Sequence, residues 1–268
     1  MNPTNGDGRA FWQQRSFKDE RDIILASGPV AVVTRLQNTF RDAMLLRLKR
    51  LLGDRLPARK LVDIGCAIGD WTLAYAHNGF ASEVVGVEFN QGFVARARES
   101  AARFGGAAGQ LRFVEGDANT TDEIAGADLV CMGGFLQSLT EAEATALLER
   151  VAQAQRGGGA MYIRTSCPPR GGARPPNDYH RSHDWYQALF ARLGYRILDA
   201  EVSAAIAVQT HAALLGRSAR ALGRLVAWFH TRVIKRNRLE YVNWVLVKDE
   251  ASLDARPSAA RDQSFGQR

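Results

Sequence analysis

The chain is poor in cysteine, poor in lysine, and has no long apolar run. Its 268 residues include only 3 cysteines. Cys66, Cys131 and Cys167 are too scattered for a disulfide framework and lack paired metal-ligand spacing, so reduced cytosolic thiols are the simple reading. Lysine occurs only at positions 18, 49, 60, 235 and 248, which leaves the basic complement to arginine. A membrane-spanning helix needs about 20 mostly apolar residues. The longest uncharged stretch of the basic region, residues 202–216, is shorter and contains Gln209, Thr210 and His211. The opening MNPTNGDGRAFWQQR has no apolar signal core, so neither a leader nor a transmembrane segment is expected. Acidic residues are missing altogether from 202 to 239, where Arg217, Arg220, Arg224, Arg232, Lys235, Arg236 and Arg238 fall. Those seven charges equal the formal net charge of +7, so the rest of the chain is formally neutral.

What is present is ordinary for a folded domain. A hydrophobic share of 46% with 24% charged residues excludes a disordered or fibrous chain. The length can bury one large core. The first 58 residues read as a helical cap: a helix over 11–27 is broken by Gly28-Pro29. Leu36, Phe40, Met44, Leu48 and Leu51 then mark one face of a second helix. From Lys60 the pattern becomes short apolar runs at 60–64, 83–88, 111–114, 127–132, 160–165, 195–202 and 241–248. Helical stretches at 70–78, 92–104, 141–155, 182–193 and 214–233 separate most of them. Strands apolar on both faces, alternating with helices, predict a mostly parallel α/β sheet covered on two sides. The last strand, after a long insertion, is expected to enter antiparallel. The domain so drawn covers 59–250, with a basic insertion at 202–239 and a disordered tail at 251–268.

The strongest chemical signal is Leu61-Val-Asp-Ile-Gly-Cys-Ala-Ile-Gly-Asp70, a buried strand running through a glycine turn into a helix. Gly65 and Gly69 let the backbone approach a ligand closely. Asp63, at the strand's carboxyl end, can accept from an ammonium or hydroxyl group. The helix beginning near Asp70 aims its amide dipoles at the same crevice. The spacing departs from a dinucleotide fingerprint, since no glycine follows one residue beyond Cys66. Glu88 closes the next strand in Val84-Val-Gly-Val-Glu-Phe89 and suits the two hydroxyls of a ribose. Asp117, in Phe113-Val-Glu-Gly-Asp-Ala118, suits an adenine amino group, with Phe89 and Ala118 as apolar neighbours.

Together these segments resemble the class I S-adenosylmethionine-dependent methyltransferases. VDIGCAIGD is similar to that family's first motif, VEFN to its ribose motif and EGDA to its adenine motif. Residues 131–137 and 157–163 resemble the fourth strand and the turn and strand after it. The resemblance spans residues 60 to 200 and implies a Rossmann-like methyltransferase sheet with S-adenosyl-L-methionine as cofactor. It carries over Asp63, Gly65, Glu88 and Asp117 as cofactor contacts, with Cys66, Gly69, Phe89 and Ala118 in support. Gly133, Gly134 and Phe135 would then lie under the sulfonium and methionine moiety.

The acceptor is less constrained. An oxygen acceptor wants a base. Met132-Gly-Gly-Phe135 is not the Asp/Asn-Pro-Pro-aromatic run of exocyclic-amine nucleic-acid enzymes. A cytosine-C5 enzyme needs a nucleophilic cysteine, and Cys167 lacks the companion cysteine-proline pair. Tyr179-His-Arg-Ser182 resembles a Tyr-x-Arg-Ser segment of small-molecule and glycan methyltransferases, making His180 and His183 the base candidates, oriented by Asp178 or Asp184. Their alternative is a surface position beside a helix capped by Ser182. Arg164 and Ser166 are acceptor-pocket candidates, and residues 11–15 a lid.

The insertion carries Leu215, Leu222, Val226, Phe229 and Val233 on one stripe, with arginines opposite. That face suits an anionic membrane surface or lipid-linked acceptor, or else is a solvated face. Nucleic acid is the disfavoured partner, since no recognisable nucleic-acid motif accompanies a neutral remainder. The expectation is O-methylation of a hydroxylated small molecule, glycan or glycolipid in the cytoplasm, in part at the membrane surface. An N-methyltransferase and a nicotinamide-dependent oxidoreductase are the alternatives, and the oligomeric state stays open.

Overall fold

The computed structural model describes residues 8–15, 30–103, 110–155, 157–167, 172–174, 178–202 and 241–249. The basic insertion beyond Val202 and the tail from residue 250, both singled out in the sequence, lie outside the described residues.

Seven strands form one sheet: β1 (Ala58–Ile64), β2 (Ala81–Glu88), β3 (Gln110–Glu115), β4 (Leu129–Gly133), β5 (Ala160–Ser166), β8 (Tyr195–Val202) and β9 (Tyr241–Lys248). The short strands β6 (Gly172–Arg174) and β7 (Asp178–His180) make a separate antiparallel pair. The sheet order is β3-β2-β1-β4-β5-β9-β8. β1 to β5 are parallel, and β9 runs antiparallel between β5 and β8, as the sequence predicts. The chain order reverses at β1, with β2 on one side and β4 on the other, which makes the carboxyl end of β1 the switch-point crevice of an open sheet.

Six helices accompany it among the described residues: α1 (Gly8–Gln13), α2 (Val30–Leu52), α3 (Asp70–His77), α4 (Gln91–Arg103), α5 (Glu141–Ala154) and α6 (His183–Arg192). Period-2 alternation sends neighbouring residues of each central strand to opposite faces. Val62, Val130, Met161 and Trp244 join α5 and α6 in one core. Leu61, Leu129, Tyr162 and Val245 join α2 and α3 in the other. Burial on both faces explains why these strands read as continuous apolar runs. Local caps fix the ends: Thr140 and Glu143 form a capping box at α5, and Ser182 accepts from the Trp185 amide at 3.2 Å. Arg47 clamps α2 to β8 through Asp199 at 2.6 and 2.7 Å. No described helix is long and apolar enough to cross a membrane.

Candidate active site

The turn after β1 is tied to its neighbour. The Gly65 and Cys66 amides donate to the Val87 carbonyl at 2.9 and 3.1 Å, and the Gly69 amide to Cys66 at 2.9 Å. Gly65 and Gly69 adopt φ of 70° and 82°. A β-carbon at Gly65 would stand 2.7 Å from the Phe135 ring, and one at Gly69 would stand 2.6 Å from Phe113. The glycines are thus required by two aromatic rings packed on the turn, a reason the sequence motif did not disclose. Ala67 holds φ of 49° without being glycine, and its amide donates to Glu88 Oε2 at 3.1 Å.

Glu88 is therefore already partnered. Its Oε1 accepts from the Asn90 amide at 2.9 Å, so the carboxylate braces the turn from the tip of β2. Burial raises its pKa, opposed by the amides of Asn90 and Ala67. Asp117 likewise accepts from the Asn119 amide at 2.9 Å. A carboxylate can accept at about four sites, so a bond to one amide does not by itself occupy the group.

A cavity of about 210 Å³ opens beside these acids. Gly65, Glu88, Phe89, Asp117, Ala118, Gly133, Gly134 and Phe135 all line it, which brings together most of the expected cofactor contacts. Trp12 and Tyr179 close it from opposite ends of the sequence. The Trp12 segment is held by Asn90, whose Nδ2 donates to the Trp12 carbonyl at 2.7 Å and the Arg15 carbonyl at 3.1 Å. Asn90 also caps α4 by accepting from the Phe93 amide at 3.1 Å. The sequence reading missed this residue. Its signal was an Asn immediately before a helix.

Asp63 and Cys66 line a second cavity of about 430 Å³ on the α2–α3 side of the turn, while Gly65, Ala67 and Gly133 border both. Gly69 lines neither. Thr72 donates to Asp63 Oδ2 at 2.7 Å. Burial pushes the Asp63 carboxyl up to about 7, opposed by Thr72 and by the positive charge of Arg164. Burial and the neighbouring acids push the Cys66 thiol well up, which disfavours its thiolate.

The base candidates stand elsewhere. His180 and His183 line neither cavity, whereas Tyr179 beside them lines the first. His180 is buried, with Nδ1 2.5 Å from the Ser166 hydroxyl. His183 stacks on Trp244 with ring centroids 4.4 Å apart. Arg181 is buried and donates to the carbonyls of Leu136 and Leu139, pinning the loop after β4 that walls the first cavity. Cys167 is buried in the core and lines neither cavity. Among the described residues no three His, Cys, Asp or Glu side chains could hold a metal ion.

Residues 61–159 match the family model described as a methyltransferase domain. A curated relative, the 23S rRNA (uracil(1939)-C(5))-methyltransferase RlmD of Thiobacillus denitrificans, is 30% identical over 137 residues, covering 51% of this chain and 30% of that protein. The chain thus spans under a third of the length of that relative. The magnesium protoporphyrin IX methyltransferase ChlM from Synechocystis PCC 6803, solved with bound SAM, superposes with a TM-score of 0.62 at 16% identity, covering 93% of this chain and 100% of that one. The [4+2]-cyclase SpnF shares the fold at a TM-score of 0.54 and 18% identity, over 76% of this chain and 80% of its own. The similarity to RNA methyltransferases overturns the expectation that nucleic acid is a disfavoured partner. That expectation leaned on missing RNA-binding motifs, and a catalytic domain matched over half of this chain need not carry one.

Proposed function

From a chain whose residues 61–159 form a methyltransferase domain within a Rossmann-like methyltransferase fold, we propose that the protein transfers a methyl group from S-adenosylmethionine to an acceptor. One observation carries the reading: a single cavity is walled by carboxylates from the tips of two neighbouring strands, Glu88 and Asp117, and floored by Gly65 and Gly133. A β-carbon at Gly133 would meet nothing within 4 Å, so a ligand can pass close to the backbone there. When bound, the cofactor supplies an electrophilic methyl on a sulfonium for in-line displacement. Glu88, fixed by two amides, presents its remaining lone pairs to the ribose hydroxyls. Asp117 takes the adenine amine, with Phe89, Ala118 and Leu139 as apolar walls. Asp63 is the acid for the ammonium group.

For the acceptor, the hydroxyl-bearing Ser138, Thr140 and Tyr179 edge the same cavity and suit a hydroxylated molecule, small or glycan-borne, methylated on oxygen. In this reading His180, bonded to Ser166 at the end of β5 and adjacent to Tyr179, is the base candidate, and His183 packs. The RNA methyltransferase relatives favour a second reading, transfer to an RNA base. Transfer to a pyrimidine C5 by this chain would call on a thiolate, and Cys167 would have to leave its buried position.

Calorimetry with S-adenosylhomocysteine tests the cofactor reading, and absence of binding sinks it. Labelled S-adenosylmethionine offered to small-molecule and glycolipid extracts, and separately to ribosomal RNA, then names the acceptor. Label in RNA that vanishes in Cys167→Ala replaces the oxygen reading with the second. Label in extract that drops in His180→Ala, with nucleoside affinity intact, supports the first.

A further inference from the structure

One wall of the first cavity is held from behind by an arginine that lines neither cavity. Asp117, Ala118 and Asn119, between β3 and the short 3-10 turn at Asp122–Ile124, all line the first cavity. The segment turns on itself: the Thr120 and Thr121 amides donate to the Asp117 carbonyl at 3.1 and 2.9 Å, and the Asn119 amide to the Asp117 side chain at 2.9 Å. Bonds within a turn fix its shape but not its position against the rest of the cavity. Anchors from outside supply that position. The Gly116 amide donates to the Glu88 carbonyl at 2.9 Å, which ties the entry of the turn to β2. Arg150, on α5, donates through one terminal guanidinium nitrogen to the Ala118 carbonyl at 3.0 Å and through the other to the Thr121 carbonyl. A planar fork can span two carbonyls in this way, whereas an ammonium acts as a point charge. Such charge-assisted bonds belong to the stronger class.

The other acid of the cavity is held independently. Glu88 takes the amides of Ala67 and Asn90, and Arg150 bonds to neither residue. Losing the fork therefore frees the carboxylate at one end of the cavity and leaves the other in place. We propose that Arg150 is a positioning residue for base recognition: it sets the Asp117 carboxylate where it accepts from the exocyclic amine of an adenine nucleoside, and so makes the site prefer adenine to hypoxanthine. The proposal rests on the methyltransferase reading for its nucleoside and on the bonds of the turn for its mechanics. Hypoxanthine carries a carbonyl oxygen in place of the amine, which cannot donate and would face the carboxylate with like partial charge. A site built around a hydrogen bond rejects an analogue that lacks it more strongly than an apolar pocket does. A displacement of about 1 Å in the supporting contacts is enough to spoil such a bond.

The test is calorimetry on the full chain and on Arg150→Met with S-adenosylhomocysteine and S-inosylhomocysteine, beside amide hydrogen exchange of the ligand-free protein. The parent is expected to bind the adenosyl compound at least about tenfold more tightly than the inosyl one. In Arg150→Met the adenosyl affinity falls about tenfold while the inosyl affinity holds, so the preference collapses. Exchange quickens at residues 119–121 ahead of the rest of the chain. An arginine that only stabilises the fold leaves the ratio alone, so equal loss of both nucleosides, or loss of neither, overturns the proposal. A parent that binds both nucleosides alike overturns it too. Arg150→Lys keeps the charge but not the fork and is expected to show an intermediate preference. If Arg150→Met does not fold, the lysine variant decides, and a ratio equal to the parent's overturns the proposal. A parent that binds neither nucleoside defeats the methyltransferase reading. Exchange at 119–121 then still tests the arginine: faster exchange in the variant supports its hold on the turn, and unchanged protection overturns it.

Discussion

The two cavities flanking the Gly65 turn differ in how their charged groups are held. On the β2–β3 side, Glu88 and Asp117 are each bound to backbone amides within a few residues or on the adjoining turn. On the α2–α3 side, Arg164 lies over the rings of Phe40 and Trp71, and the buried Nε atoms of Arg41 and Arg164 lack hydrogen-bond partners among the described residues. The first arrangement is fixed by the local backbone in the free protein. The second leaves buried donors unpaired, which costs stability in the free protein. The turn between them is shared, so a fault there should damage both sides.

That gives the largest expected effect. Gly69→Ala adds left-handed strain of about 1–2 kcal/mol and a β-carbon 2.6 Å from the Phe113 ring, worth about 1–3 kcal/mol of overpacking. Denaturant unfolding should show the summed loss, with weakened nucleoside binding on both sides. An unchanged midpoint would mean that Phe113 moves aside freely. Next, Glu88→Ala should weaken S-adenosylhomocysteine about a hundredfold by calorimetry. It removes a charged acceptor and the brace on the Ala67 amide together. Glu88→Gln, which keeps part of the brace, should fall between.

A smaller effect follows from Asp63, whose carboxyl is pushed by burial from the ordinary carboxylate range up to about 7. A raised carboxyl favours the neutral form in the folded protein. Its contribution to stability is complete below about 4 and is lost as pH rises through about 7. Ligand affinity runs the other way, because an ammonium wants the carboxylate. S-adenosylhomocysteine should bind up to about tenfold tighter at pH 8 than at pH 6. Asp63→Asn should flatten both profiles, and a flat parent profile would show that Asp63 does not face the ammonium. Smallest is Ala67→Gly, which relieves left-handed strain at φ of 49° but adds unfolded-state freedom. A net gain below about 1 kcal/mol is expected, seen as a rise in melting temperature of about 2 °C.

Much of the first cavity was legible. Glu88 closes β2 and Asp117 follows β3 by two residues, and such positions project at the crevice whatever the distant packing, whereas Asp63, near the end of β1, borders the second cavity. The second cavity was only half legible. Arg164 could be named as an acceptor-side residue because it lies near the end of β5, but Arg41 reads as one more polar residue on an amphipathic helix until the cavity it shares with Arg164 is seen. The histidines show a different limit of the sequence. Their sequence neighbourhood suggested chemistry, yet the β7–α6 turn directs His180 to Ser166 and His183 to Trp244, and leaves the cavity wall to Tyr179.

The sequence by itself determined the alternating strands and helices, the glycine turn, and the acids at the strand tips. These depend on periodicity and short-range backbone conformation, which a few neighbouring residues dictate. Only the tertiary structure decided which side chains share a cavity. Asn90 reaching back to Trp12, Arg181 pinning the loop after β4, and Arg41 joining Arg164 all bring together groups far apart in the chain. Their meeting depends on strand register and on how α1 and α2 sit over the sheet, and no local pattern encodes either.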